Sequence, residues 1–248
     1  MKLLRAEFLK ARTTRLLLWY GLGLVGFLTF FVSIHLGTAD LSQLAKHSEQ
    51  RTMFAFSGLA AVIAILVGAV LLAGEYAHGT INQSFLATPV RERFVAAKLV
   101  AGALVGAAIG LLGALTVFVL GEIWYAGRGV TLHLGNGTLT PVVGVIGASA
   151  LAAAAGVGLA GVLRRQTATI VLILLWLLIG ENVINVSESA ARYAPGHVLG
   201  AIASAHDHRT QGALAVWPAV VVALIYVAVL AGVGLVAVVR SDAPTQGQ

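Results

Sequence analysis

The sequence predicts an all-α integral membrane protein with six transmembrane helices. Hydrophobic residues make up 58% of the 248 residues, and charged residues only 10%. Mean hydropathy is +0.92. A soluble domain carries about 25% charged residues, so this chain has too few of them to cover a water-exposed surface. Six apolar segments are long enough to cross a hydrocarbon core of about 30 Å, and lipid is therefore the predicted solvent.

Residues 1–15 alternate basic and apolar side chains. Leu4, Phe8 and Ala11 fall on one helical face, which predicts an amphipathic helix on the membrane surface. A basic tail that only sets topology is the alternative. The apolar run that follows has no clear cleavage site for a signal peptide, so we interpret it as a retained first span.

The six predicted spans lack the alternating pattern of β-strands, which favours helices. They run from Leu16 to Leu36, Met53 to Ala73, Val95 to Leu120, Pro141 to Leu163, Thr169 to Ile184 and Ala213 to Val239. Together they form one transmembrane domain over residues 16–240, followed by a polar tail over residues 241–248. The fifth span is the shortest and has the least certain limits.

The distribution of Lys and Arg predicts the orientation. With the N-terminus inside, 11 of the 16 basic residues fall on the cytoplasmic side and 5 on the other side. Positively charged loops are retained in the cytoplasm, so both termini are predicted to be cytoplasmic in a multi-pass protein of the cell membrane. The basic residues do not gather into one stripe, and no nucleic-acid partner is predicted.

The loop between the second and third spans carries the most information. Thr80 and Gln83 have the spacing of a capping box, which predicts a short helix over residues 81–87. Pro89 ends that helix, because it has no backbone N–H and disfavours a helical conformation at Thr88. The loop is thus predicted to be a short helix between two long ones.

This loop closely resembles that of type-2 ABC (ATP-binding cassette) transporter permeases. Those proteins carry an acidic residue after the second span, then Gly-Thr, a short apolar helix, a Thr-Pro step, an Arg, and a Lys entering the third span. The matching residues here are Glu75, Gly79, Thr80, Leu86, Thr88, Pro89, Arg91 or Arg93, and Lys98. The six-span layout and the basic N-terminal segment extend the resemblance to nearly the whole chain.

The resemblance implies that the loop forms a coupling helix, which docks into a separate nucleotide-binding subunit and transmits its ATP-driven closure to the spans. The implied coupling residues are Glu75, Tyr76, Gly79, Thr80, Gln83, Leu86, Thr88, Pro89, Arg91 and Arg93. An ordinary capped connector is the alternative. The resemblance also implies a second permease copy, identical or related, with the dimer face on the first and fifth spans.

The sequence contains no G-x-x-x-x-G-K-[S/T] loop for binding phosphates. ATP and Mg²⁺ are therefore expected on the partner subunit, and this chain is predicted to be a transport subunit rather than an enzyme. It has no cysteine, and His206, Asp207 and His208 are interpreted as a solvated turn rather than a metal site. No cofactor or metal is predicted.

Four polar residues near the outer ends of the third and fifth spans are candidates for the outer exit of a transport pathway: Glu122, Glu181, Asn182 and Asn185. Side chains at headgroup level are the alternative. No ionisable residue lies unambiguously in the middle of a span, which argues against an ion-coupled carrier, because such a carrier needs a proton relay or ion site near the midplane.

Small residues recur at four-residue spacing in two spans: Gly102, Gly106 and Gly110, and Ala152, Gly156 and Ala160. Such stripes let helices approach closely, either within the chain or at a dimer face.

The predicted function is that of an exporter permease whose substrate is hydrophobic, a drug, lipid or peptide. A non-transporting membrane scaffold or resistance protein with the same fold is the main alternative.

Overall fold

The structure is a computed structural model and describes residues 15–40, 53–54, 56–87, 90–130, 139–204 and 214–240. All the regular elements in these ranges are helical, as predicted. The predicted amphipathic helix (up to residue 14), Thr88, Pro89, the His206 to His208 turn and the tail 241–248 lie outside the described residues.

Six helical segments are long and apolar enough to cross a membrane, which confirms the predicted number of spans. Four spans are single helices: α1 (Arg15–Thr38), α4 (Arg91–Gly127), α5 (Leu139–Leu163) and α10 (Val216–Arg240). The second span is α2 (Leu59–Ala77), preceded by a 3-10 turn, Phe56–Gly58. The fifth span is α6 (Gln166–Leu175), a π-helical segment (Trp176–Gly180) and α7 (Glu181–Ile184). The shorter helices are α3 (Ile81–Ala87), α8 (Glu188–Ala191) and α9 (Pro195–Ser204).

Consecutive spans run in opposite directions, so the bundle has two distinct ends. The α3 end contains α3, the start of α4 and the C-terminus of α10, where Arg91 donates hydrogen bonds to the carbonyls of Val238 and Val239 at 3.2 and 2.9 Å. The α9 end contains the C-termini of α1 and α4 together with α8 and α9. There Arg128 donates to the carbonyls of Gly37 and Ala39 at 2.6 and 2.7 Å.

The third span is longer than predicted. Helix α4 has 37 residues, or about 55 Å at 1.5 Å per residue, which exceeds the thickness of the hydrocarbon core. No Pro interrupts it. It therefore extends past the predicted limits, Val95 and Leu120, at both ends.

Helix α5 lies at the centre of the bundle and packs against α2, α4, α9 and α10. The small residues make this packing possible. A Cβ atom at Gly156 would lie 2.1 Å from the Ile65 carbonyl oxygen of α2, and one at Gly106 would lie 2.3 Å from the Ser149 carbonyl oxygen of α5. The two stripes of small residues therefore pack inside the chain, which confirms the interpretation that they let helices of one chain approach closely.

Candidate functional site

The site is built around α3, which follows a tight turn at the end of α2. Gly79 adopts a φ of +68°, a left-handed conformation that glycine enters without steric cost. The turn closes with a 3.0 Å hydrogen bond from the Thr80 N–H to the Glu75 carbonyl. Helix α3 then begins at Ile81 and ends at Ala87, which confirms the predicted short helix over residues 81–87.

The two faces of α3 differ in their surroundings. Ile81 is buried, and the Phe85 ring packs edge-on against Phe94 of α4 at a centroid distance of 5.4 Å. On the opposite face Gln83 is exposed and Leu86 is 84% exposed. An apolar side chain therefore stands out from the bundle at the end of a short, anchored helix.

A buried ion pair lies beneath the inner face of α3. The Glu75 Oε1 atom of α2 accepts a 2.7 Å hydrogen bond from Lys98 Nζ of α4, and Oε2 accepts a 2.8 Å bond from Ser84 Oγ of α3. Lys98 also donates to the Leu71 carbonyl at 3.2 Å. Glu75, Ser84 and Lys98 thus join three helices, and we call this group the Glu75 junction.

This ion pair is buried near the α3 end of the second and third spans. The side chains of Lys98 and Glu75 are only 3% and 8% exposed. Burying two ions is costly unless they pair and their remaining donors and acceptors find partners, as the hydrogen bonds to Leu71 and Ser84 provide. Lys98 falls inside the predicted third span, so its position in an apolar run indicates a buried cation. Ser84 lies in a polar run, and nothing in the sequence around it indicates that it contacts the ion pair.

Arg91, the first residue of α4, links α3 to the sixth span. Its guanidinium lies 5.2 Å from the Phe85 ring centre, besides donating to the last carbonyls of α10. A cation at a helix C-terminus is favourable, because the final carbonyls have no partner within the helix. Arg91 is therefore engaged inside the chain.

The predicted coupling residues divide into an outward and an inward group. The outward group, which is exposed, consists of Gly79, Gln83, Leu86 and Arg93. The inward group consists of Glu75, Tyr76, Thr80 and Arg91. Thr88 and Pro89 lie outside the described residues.

In the inward group, the Thr80 hydroxyl does not make the predicted capping contact, and the Tyr76 hydroxyl is buried. The Thr80 hydroxyl donates to the Glu75 carbonyl at 3.5 Å and so points back to α2, away from the capping box predicted with Gln83. The Tyr76 hydroxyl is buried, with no hydrogen-bond partner among the described residues.

At the opposite end of the bundle, Glu181 attaches α9 to the fifth span. Its Oε1 atom accepts hydrogen bonds from the Gly196 N–H at 2.6 Å and from Trp176 Nε1 at 3.1 Å, while Oε2 lies 3.2 Å from His197 Nδ1. Gly196 and His197 belong to the first turn of α9, where free N–H groups favour an anion.

The other candidate exit residues do not gather around Glu181. Asn182 is exposed and donates to the Leu178 carbonyl at 2.7 Å, within its own helix. Asn185 and Glu122 are exposed as well. In the part of the chain that the structure describes, no hydrogen bond or ion pair joins Glu122 to Glu181. Of the four predicted residues, Glu181 alone joins two elements through its side chain.

An apolar cavity of about 650 Å³ lies between α2, α5, the fifth span, α9 and α10. Its lining includes Val62, Leu151, Leu172, Trp176, Leu199 and Leu230. Glu181 and Tyr226 contribute the few polar atoms in its wall. The π-helical segment borders this cavity, and such segments interrupt regular helix hydrogen bonding, often at functional sites. The cavity is large enough to hold a small apolar molecule.

Among the residues that the structure describes, no three His, Asp or Glu side chains are grouped as a metal site would require.

A comparison with protein-family models matches residues 3–181 to a family described as "ABC-2 family transporter protein". The matched region contains α3 and the Glu75 junction and ends at Glu181, before α8. No curated protein matches the chain.

Proposed function

The chain belongs to the ABC-2 transporter family, and from that premise we propose that it is the membrane-spanning permease subunit of an ATP-driven exporter. A separate subunit binds and hydrolyses ATP with Mg²⁺, since this sequence has no phosphate-binding loop motif. Two permease copies, identical or related, assemble with two such ATPase subunits.

Helix α3 is the coupling helix in this proposal, and the exposure of Leu86 is the observation that carries it. Leu86 is 84% exposed and lies on a helix outside the six spans, next to the exposed Gln83. A large, exposed apolar side chain beside polar residues is typical of a residue that fills a pocket on a partner. The outward group of coupling residues therefore makes the docking contacts, and the inward group holds α3 in place.

The α3 end faces the cytoplasm in this proposal. Arg91, Arg93, Arg164, Arg165 and Arg240 all fall at this end of the bundle. Basic residues next to spans are retained on the cytoplasmic side. The orientation places α3 where ATP and the ATPase subunit are found.

The substrate is hydrophobic in this proposal, and the apolar cavity supports that assignment. A cavity of about 650 Å³ with an almost wholly aliphatic lining favours an apolar drug, lipid or peptide side chain over an ion. Glu181 closes its α9 end by holding α9 against the fifth span, which makes this contact the candidate outer exit.

The proposal is tested by comparing Leu86→Asp with Val186→Asp after affinity isolation from membranes. Val186 is 90% exposed and follows the fifth span at the α9 end, so it is a matched control for introducing a charge. Wild-type protein and Val186→Asp should copurify with a subunit that hydrolyses ATP in the presence of Mg²⁺. Leu86→Asp should lose that subunit, because the carboxylate is not accommodated in an apolar pocket.

Equal recovery of the ATPase with Leu86→Asp and with wild type would make α3 an ordinary connector. Recovery of no ATPase with wild type would favour a non-transporting membrane protein of the same fold.

A further inference from the structure

We propose that Ser84 and Lys98 are positioning residues that transmit the movement of α3 to the transmembrane helices through Glu75. This inference rests on the proposed role of α3 as the docking helix. It assigns the mechanical connection to the Glu75 junction rather than to the exposed surface of α3.

The two carboxylate oxygens of Glu75 serve different elements. One oxygen binds Lys98 of α4 at 2.7 Å and the other binds Ser84 of α3 at 2.8 Å, while Glu75 itself belongs to α2. Hydrogen bonds to an ionised group are short, directional and about twice as strong as neutral ones. A displacement of α3 therefore pulls on α2 and α4 together.

Besides the hydrogen bonds of Thr80 to the Glu75 carbonyl at the start of α3, the side-chain contacts that hold this helix are of a different kind. Ile81 is buried among apolar side chains, and Phe85 contacts the ring of Phe94 and the guanidinium of Arg91. Hydrophobic burial is not directional, so such contacts keep α3 close to the bundle but allow it to slide. Ser84 supplies the directional contact between α3 and the buried charge.

Helix α4 provides a path from the junction to the opposite end. It is continuous from Arg91 to Gly127. Directly after it, Arg128 donates to the Gly37 carbonyl of α1 at 2.6 Å and to the carbonyl of Ala39, just beyond α1, at 2.7 Å. A rotation or shift of α4 at Lys98 is thereby carried to the α9 end without an intervening hinge.

The experiment uses the chain's lack of cysteine to place one reporter. Ser187 is exposed at the α9 end, and Ser187→Cys labelled with an environment-sensitive fluorophore reports movement there. The labelled permease is assembled with its ATPase subunit in lipid nanodiscs. Two quantities are measured: the affinity for the ATPase subunit, and the fluorescence change on adding ATP, Mg²⁺ and vanadate. Neither requires a known substrate.

Ser84→Ala is the least disruptive test, because it removes one hydroxyl and leaves the ion pair in place. We expect the affinity for the ATPase subunit to stay at the wild-type value and the fluorescence change to fall to less than about half. Thr29→Val is the control. It also removes a hydroxyl, but that hydroxyl donates to the Val25 carbonyl of its own helix at 2.7 Å and lies outside the contacts between α4 and α1. Its response should equal that of wild type.

Lys98→Met is the second variant, and it should bind the ATPase subunit yet lose the fluorescence change. A wild-type response in Ser84→Ala, or loss of response in both Ser84→Ala and Thr29→Val, overturns the inference. Weakened ATPase binding in Ser84→Ala overturns it as well, since the hydroxyl would then serve docking. If wild-type permease binds no ATPase subunit, the proposed function fails, and this inference fails with it.

Discussion

Glu75 and Lys98 place opposite charges between α2 and α4, where both side chains are less than a tenth exposed. Each ion loses its hydration, and their mutual attraction compensates only because Ser84 and the Leu71 carbonyl provide further hydrogen bonds. Removing one ion leaves the other buried and unpaired, which is more costly than never having buried a charge. The pair is therefore expected to respond very differently to single and double replacement.

Lys98→Met alone should lower the free energy of unfolding by about 3–5 kcal/mol, because the Glu75 carboxylate stays buried without its counter-ion. Glu75→Gln combined with Lys98→Met should recover most of that loss, since two neutral side chains of similar size need no ionic partner. Denaturant unfolding of the detergent-solubilised protein measures both. Equal destabilisation by the single and double variants would show that the charges are not coupled.

At the same scale, the sequence reveals which residues are present at the site but not which way they point. Glu75, Leu86 and Arg91 all match the family pattern, yet Glu75 and Arg91 bind within the chain while Leu86 is exposed. The direction of a side chain on a seven-residue helix depends on how that helix is rotated against α2 and α4. No local periodicity over so few residues fixes that rotation.

At the scale of the elements, the packing of α5 depends on small residues. Gly156 brings α5 so close to α2 that a Cβ atom would lie 2.1 Å from the Ile65 carbonyl oxygen. Gly147, in the same helix, has no neighbouring atom within 4 Å of the corresponding position. Comparing alanine substitutions at these two glycines therefore distinguishes the effect of close packing on stability from the effect of intrinsic helix propensity.

Gly156→Ala should lower the free energy of unfolding by about 1–3 kcal/mol, because α2 and α5 must move apart to admit the methyl group. Gly147→Ala should leave it unchanged or raise it by about 0.5–1 kcal/mol, as alanine is the better helix former. Thermal unfolding in detergent distinguishes them. If both variants behave alike, the close contact between α2 and α5 is not what stabilises the bundle.

Hydropathy predicts the number of spans and most of their limits, because a helix in lipid must be long and apolar. The short helix α3 is predicted instead from Thr80, Gln83 and Pro89, and it has the predicted limits although the Thr80 hydroxyl bonds back to Glu75. Hydropathy does not predict the π-helical segment Trp176–Gly180. That segment adjoins a tertiary contact, the hydrogen bond from the Gly196 N–H to Glu181, which is invisible in a local pattern.

At the scale of the whole molecule, the bundle has two different ends. The α3 end carries the exposed Leu86 and the buried Glu75 junction, and at the α9 end Glu181 lies in the wall of the apolar cavity. Composition and span count identify a multi-pass membrane protein, and the family match identifies a transporter. Each end is held together by contacts between residues far apart in the sequence, such as Arg91 with Val239 at the α3 end, which composition does not encode.

We propose that the exposed face of α3 lies in the cytoplasm and binds the ATPase subunit. Gln83→Cys tests it most directly, because Gln83 is exposed beside Leu86 and the substitution leaves Leu86 intact. The measurement is the rate at which a membrane-impermeant maleimide labels this cysteine in inverted membrane vesicles, with and without bound ATPase subunit. We predict rapid labelling of the free permease and strong protection in the complex. An equal labelling rate with and without the ATPase subunit would show that this face does not bind it. Labelling only in intact cells would show that α3 does not lie in the cytoplasm.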